Sequence, residues 1–412
     1  MREQTRRLNK NHLIEYVMIF LFLLPIFEPK IIKVFPVIDF FFVFGNVVEA
    51  AYFIVLLLFT KKRIPKIILF WIGYRVYMLT IMLLNGQLST LKEWGYLTLL
   101  VTNLIFVFEK YRYKNTTLFL SSMSILCTVY LLINFITLLV FKRGIYRSAL
   151  TSYNPDNDWY FLGIKIQFTT MMIPGITSSL LLMEQEKNKK SVLLLTISIL
   201  SSLLNIFYKN IGTALFGTIL LVLFLFILRI SKVRFRFETL LLLALIFNIL
   251  VLFFNVQNLF SGVLYQLFKK DSTLSTRTLI WESAINLLSI SSPFEIVFGH
   301  GYNTNFVPFH GITYDYINCH NEFLAILYYN GFVGAILFVS FLLYCCKNRD
   351  YRTKQYQLVN ILCFVLLLMC INEEYFEIAI CYIPFLSFHY FLPNAKNVKI
   401  NKIVYKNSFL PE

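Results

Sequence analysis

Apolar runs of membrane-spanning length recur along the whole chain and leave it little choice of fold. A helix needs about 20 consecutive apolar residues to cross a hydrocarbon core. Because lipid offers no partner to backbone amides, each run must satisfy its own, and helices do this. Twelve candidate spans can be drawn, at 13–35, 37–60, 64–84, 93–109, 115–141, 159–183, 191–208, 210–228, 238–259, 317–345, 356–372 and 374–392. Glu28-Pro29-Lys30 interrupts the first, and only Tyr208-Lys209-Asn210 separates the seventh from the eighth. Charged residues make up 15% of the chain, against about 25% in soluble domains. The expected fold is all-α, a polytopic membrane helical bundle of about twelve transmembrane helices. It forms a single integral membrane domain over 1–412, with a large helical extracytoplasmic loop at 260–316.

The basic residues give the bundle an orientation. With the N-terminus inside, the cytoplasmic segments hold 26 of the 38 lysines and arginines, including Lys61, Lys62, Arg63 and Lys66 in one loop and Arg229, Lys232, Arg234 and Arg236 in another. This follows the positive-inside rule and puts both termini in the cytoplasm. The net charge of +16 then reflects topology and contact with anionic membrane lipid, and no nucleic-acid partner is expected. The basic start precedes an apolar run without a small-residue cleavage site, so the first span is read as uncleaved. The seven cysteines fall mostly within apolar runs and none has zinc-ligand spacing, so neither a disulfide nor a metal cage is expected. The absence of a visible internal repeat disfavours a transporter built from inverted halves.

Chemistry is sought on the outer side. Thr278 to Ser289 reads as an amphipathic helix that Ser275 or Thr276 can cap and Pro293 stops. Arg277 and Trp281 share one face and can stack. The alternative is an interfacial helix, with Trp281 at headgroup level and Arg277 in water. Gly299-His300-Gly301 permits a tight turn. His320, with Asn321 and Glu322 beside it, opens the tenth span; it is either a base for a hydroxyl or a polar N-cap. The spacing of His300, His310 and His320 does not require a metal. Arg75, in mid-span, either faces an anionic headgroup or pairs with Glu49 or Glu93. Lys165 can snorkel outward, and Lys209 and Arg147 are outer cations. Asp156-Asn157-Asp158 can hold a divalent metal or simply make a turn. Glu373-Glu374, on the last outer turn, has no assigned role.

Four elements in order, Arg277-x-x-x-Trp281, Gly299-x-Gly301, His320-Asn321-x-Phe323-Leu324 and Gly331-x-x-Gly334, resemble the signature region of the O-antigen polymerase and O-antigen ligase superfamily. Tyr160-Phe161-Leu162-Gly163 with Lys165 resembles a stretch common in its polymerase branch. The resemblance implies a GT-C-like glycosyltransferase of the cytoplasmic membrane that needs no cofactor or metal. Its active site would lie on the extracytoplasmic face, and its donor and acceptor would be glycans on undecaprenyl pyrophosphate. Arg277 would hold the pyrophosphate and His320 would be the base, with Lys209, Arg75, Arg147, Trp281 and Asn321 as substrate-binding candidates. A chain-length regulator and a flippase are candidate partners. Ligase-like members carry a second arginine where this chain has Lys209-Asn210-Ile211-Gly212; lysine offers a point charge without a bidentate fork. The function expected is a polysaccharide polymerase for capsule, exopolysaccharide or O-antigen. The alternatives are a ligase and a flippase or transporter of the lipid-linked unit. Transporters keep their polar sites near the midplane, and here only Arg75 is central.

Overall fold

The computed structural model describes residues 2–60, 64–112, 115–147, 158–231, 233–260, 262, 277–301 and 319–393. The fold is α-helical. The helices are α1 (Arg2–Ile26), α2 (Pro36–Thr60), α3 (Lys66–Leu84), α4 (Leu91–Tyr111), α5 (Thr116–Val140), α6 (Phe168–Glu186) and α7 (Lys189–Lys209). They continue with α8 (Gly212–Ile230), α9 (Phe237–Phe254), α10 (Arg277–Ile290), α11 (Pro293–Phe298), α12 (Glu322–Cys346), α13 (Lys354–Met369) and α14 (Ile383–Phe391). Among the described residues, nine helices are long and apolar enough to cross a membrane. Three shorter apolar helices, Leu13–Ile26, Lys354–Met369 and Ala379–Phe391, fill the remaining expected spans. The chain is a multi-pass membrane protein.

Local chemistry sets the helix ends. Pro36 starts α2 at a position where the missing N–H costs nothing. The Asn188 side chain accepts from Ser191 N at 2.8 Å and caps α7. At the other end of α7, Asn210 takes a left-handed conformation at φ 50°, which asparagine tolerates better than most residues. This produces the tight α7–α8 turn expected from the sequence.

The interior is knit by small polar groups. Asn134 Nδ2 on α5 donates to Asn205 Oδ1 on α7 at 2.7 Å. Asn134 Oδ1 accepts from Leu162 N at 2.8 Å. These bonds fix the Tyr160–Gly163 turn, which is closed by reciprocal backbone bonds of 2.9 Å. A short antiparallel ladder precedes it, β1 (Tyr146–Arg147) on β2 (Asp158–Trp159). Helix α13 is buried along nearly its whole length, whereas α2 and α8 turn most of their apolar side chains outward. Such outward surface is what lipid, in place of water, accommodates.

Candidate active site

The segment around α10 and α11 departs from the sequence expectation in three ways. First, the amphipathic helix exists as α10, but it does not lie on a surface. Trp281 is 1% exposed and Arg277 is 8% exposed, so the reading with Trp281 at headgroup level and Arg277 in water is overturned. Secondly, the guanidinium does not stack on Trp281. It is bonded to the Asn372 carbonyl through NH1 and to Glu373 Oε1 through NH2. Thirdly, Pro293 does not merely stop a helix but begins one. Ser292 accepts from Glu295 N at 3.3 Å, and Glu295 Oε2 accepts from Ser292 N at 2.8 Å, a capping box for α11. These bonds hold the Glu295 carboxyl below its ordinary range. Ser275, Thr276, His310, Asp156 and Asn157 lie outside the described residues.

The glycines of the motif make one joint. Helix α12 is broken at Gly331, with φ 62° and ψ −172°, a region open essentially to glycine alone. The break presents the carbonyls of Tyr328, Tyr329 and Asn330 to donors outside the helix. His300 N donates to Tyr328 O at 3.0 Å and Gly301 N to Tyr329 O at 2.9 Å. The Tyr77 hydroxyl lies 2.9 Å from both the Asn330 and Phe298 carbonyls. A Cβ on Gly331 would fall 2.4 Å from Val297 O, and one on Gly299 would fall 2.3 Å from Tyr329 O. His300 is consumed by this joint. Its ring stacks on Tyr328 at 4.2 Å, with Nδ1 3.0 Å from Tyr328 O and Nε2 2.9 Å from Ser291 Oγ.

His320 sits one residue before the cap of α12. It has φ 48°, uncommon for any residue with a Cβ. Asn321 is the N-cap. It is fully buried, accepts from Leu324 N at 3.0 Å and donates to Asn248 Oδ1 at 2.8 Å and Ile371 O at 3.0 Å. Those bonds give Asn321 a fastening task. The loop between α13 and α14 is stitched to the same helix start: Glu322 N donates to Cys370 O at 2.8 Å, and Phe376 N to Glu322 Oε2 at 2.9 Å.

Glu373, on that loop, joins the two residues that the sequence singled out. Its Oε1 takes the Arg277 guanidinium, and its Oε2 lies 3.4 Å from His320 Nδ1. The His320 side chain keeps 29% of its surface open. Burial alone would raise the Glu373 carboxyl, but Arg277 and His320 together hold it below its usual range. Next to it, Glu374 moves the other way. Burial pushes it well up, aided by Glu377 and Glu322, against hydrogen bonds from the Cys319 and His320 backbone. A carboxylate against Nδ1 of a partly open imidazole is an arrangement that could orient a base.

Residues 196–339 match the family model described as O-Antigen ligase. This stretch, about a third of the chain, is similar to the O-antigen ligase family. The match contains Arg277, the glycine joint and His320, whereas Glu373 lies beyond its end. No curated protein and no solved structure matches the chain. The match supports a membrane enzyme of O-antigen polymerase or ligase type, with lipid-linked polysaccharide as its substrate class.

The other cations lie elsewhere. Lys209 Nζ sits 4.4 Å over the Tyr160 ring, and Arg147 faces Asp158 at 3.7 Å. Neither is brought against Arg277 or His320 among the described residues. Arg75 is buried; Nε donates to Thr98 Oγ1 and NH2 to the Trp94 carbonyl, both at 2.8 Å. Glu49 and Glu93 are not its partners, and both Glu49 carboxyl oxygens lack a hydrogen bond among the described residues. Sequence reasoning missed the role of Glu373. The signal for it was an acid pair in an apolar region, since a buried carboxylate needs a partner, and Arg277 was the cation without one.

Proposed function

We propose that the protein is a polysaccharide polymerase for capsule, exopolysaccharide or O-antigen, acting at the outer face of the cytoplasmic membrane. It transfers a growing chain from one undecaprenyl pyrophosphate to the terminal sugar of another lipid-linked repeat unit. The observation that carries this reading is the Arg277–Glu373–His320 line. Glu373 orients the imidazole through Nδ1, and Nε2 of the partly exposed ring takes the proton of the acceptor hydroxyl. The acceptor oxygen bonds to the anomeric carbon as the bond to pyrophosphate breaks, and the electron pair leaves on the pyrophosphate. Arg277 retains N–H donors beyond the two it uses, and these meet the charge that develops on the leaving group. Lys209 and Arg147, on the outer face of α5, α6 and α7, would steer the anionic donor.

A His320→Ala strain is expected to hold single lipid-linked repeats and no polymer ladder; a normal ladder would sink the proposal. The family model's own description favours a second reading, a ligase that moves finished glycan to another acceptor. In that case the same strain would keep full-length polymer on the carrier lipid and lose only its attachment. Against the ligase, the ligase-like arginine is absent and Lys209 turns to Tyr160.

A further inference from the structure

Two cavities lie along the chain that follows Glu373, lined by residues of 374–380 but not by His320 or Glu373 themselves. The smaller, of about 40 Å³, is lined by Glu322, Glu374 and Asn330 among others. It shares Arg75, Leu97 and Glu377 with a larger cavity of about 210 Å³. The walls of the larger one carry Lys30, Glu28, Trp94, Tyr96, Gln167 and Thr170. We propose that this larger cavity is a subsite for one sugar ring of the glycan handled at His320, with Lys30 as a hydrogen-bond donor to it. The inference rests on the transfer reading and names the part of the substrate that this region holds.

Three observations support it. The first is charge balance. Lys30 and Arg75 share the walls with Glu28, Glu93 and Glu377, so the cavity has no net positive field to collect a pyrophosphate. A polyhydroxyl ring uses donors and acceptors alike, and the walls offer both. The second is size and lining. The volume falls below the roughly 300–1,000 Å³ of sites for drug-sized ligands, and Trp94, Tyr96, Leu100 and Ile380 give it an apolar body. The third is Lys30 itself. Its backbone belongs to a turn, Lys30–Val34, tied to the Tyr160–Gly163 turn through Ile31 N to Phe161 O at 3.3 Å. Its side chain is half-buried at the cavity wall. A half-buried ammonium at the wall offers three donors to a bound hydroxyl or carboxylate.

The test is saturation-transfer NMR on the purified full chain in detergent. The probes are free hexoses, N-acetylhexosamines and hexuronic acids, with inorganic pyrophosphate as competitor. At least one sugar class is expected to bind, with affinity at least tenfold weaker in Lys30→Met and unchanged in Gly73→Ala, an exposed position on α3. Should Lys30→Met fail to fold, Leu100→Phe, which fills the cavity, is expected to give the same loss. Absence of any sugar signal, an unchanged signal in the folded variants, or displacement of the sugar by pyrophosphate would overturn the subsite. The readout needs no turnover. A normal polymer ladder in the His320→Ala strain would remove the transfer reading, whereas a missing sugar signal removes only the subsite.

Discussion

Glu373 is buried between a guanidinium and an imidazole, and this single side chain sets what mutagenesis should show. Removing one partner of a buried ion pair leaves an uncompensated charge, at about 3–5 kcal/mol. Glu373→Gln is therefore expected to lower thermal stability in detergent sharply, as is Arg277→Met. The double variant should recover much of that stability while remaining inactive, because the base then lacks its orienter. Additive losses in the melting series would show that the pair is not coupled. The sign of the pH response follows from the depressed carboxyl. Its stabilisation is complete above the ordinary glutamate value of about 4.3 and is lost as pH falls through the lower folded value. Melting temperature should drop on acidification below about pH 4, and this drop should be weaker in Glu373→Gln. At this scale the sequence was half legible. Arg277 and His320 stand out because polar groups are expensive in an apolar chain. The carboxylate that pairs them did not, because spacing along the chain carries no information about a contact across 96 positions.

At the scale of elements, the decisive feature is the break in α12. Gly331→Ala puts a Cβ 2.4 Å from Val297 O in a conformation costing on the order of 1–3 kcal/mol. It should detach the Gly299–Gly301 segment, reducing the yield of folded protein and abolishing product. Gly73→Ala on α3, with nothing within 4 Å of the added carbon, should leave both unchanged; the pair of variants is read by fluorescence-detected size exclusion. The spans were legible in position because apolar length is a local property. The interfacial placement of α10 failed because amphipathicity says that one face is apolar, without saying whether lipid or protein covers it. Here α9 and α12 cover it. Likewise, the glycine pattern announced unusual backbone but not the broken helix that receives it.

The whole bundle follows the count of apolar runs, and the orientation expected from its basic loops can be checked directly. All seven native cysteines are free and buried, so an impermeant maleimide should leave the native chain unlabelled in intact cells. Ser289→Cys, at an exposed position on α10, should label from outside. Lys187→Cys, exposed at the end of α6, should label only after permeabilisation. The reverse pattern would invert the topology and move the site to the cytoplasm. One consequence concerns the order in which the molecule is made. The counter-ion of Arg277 lies 96 residues later in the chain, which at 5–20 residues per second is a wait of roughly 5–20 s. Until α13 and the loop after it emerge, the cation has no Glu373 to neutralise it and His320 has no orienter. The Arg277–Glu373–His320 line therefore closes late in synthesis, and a ribosome that stalls before residue 373 leaves a bundle with most of its spans and that line unmade.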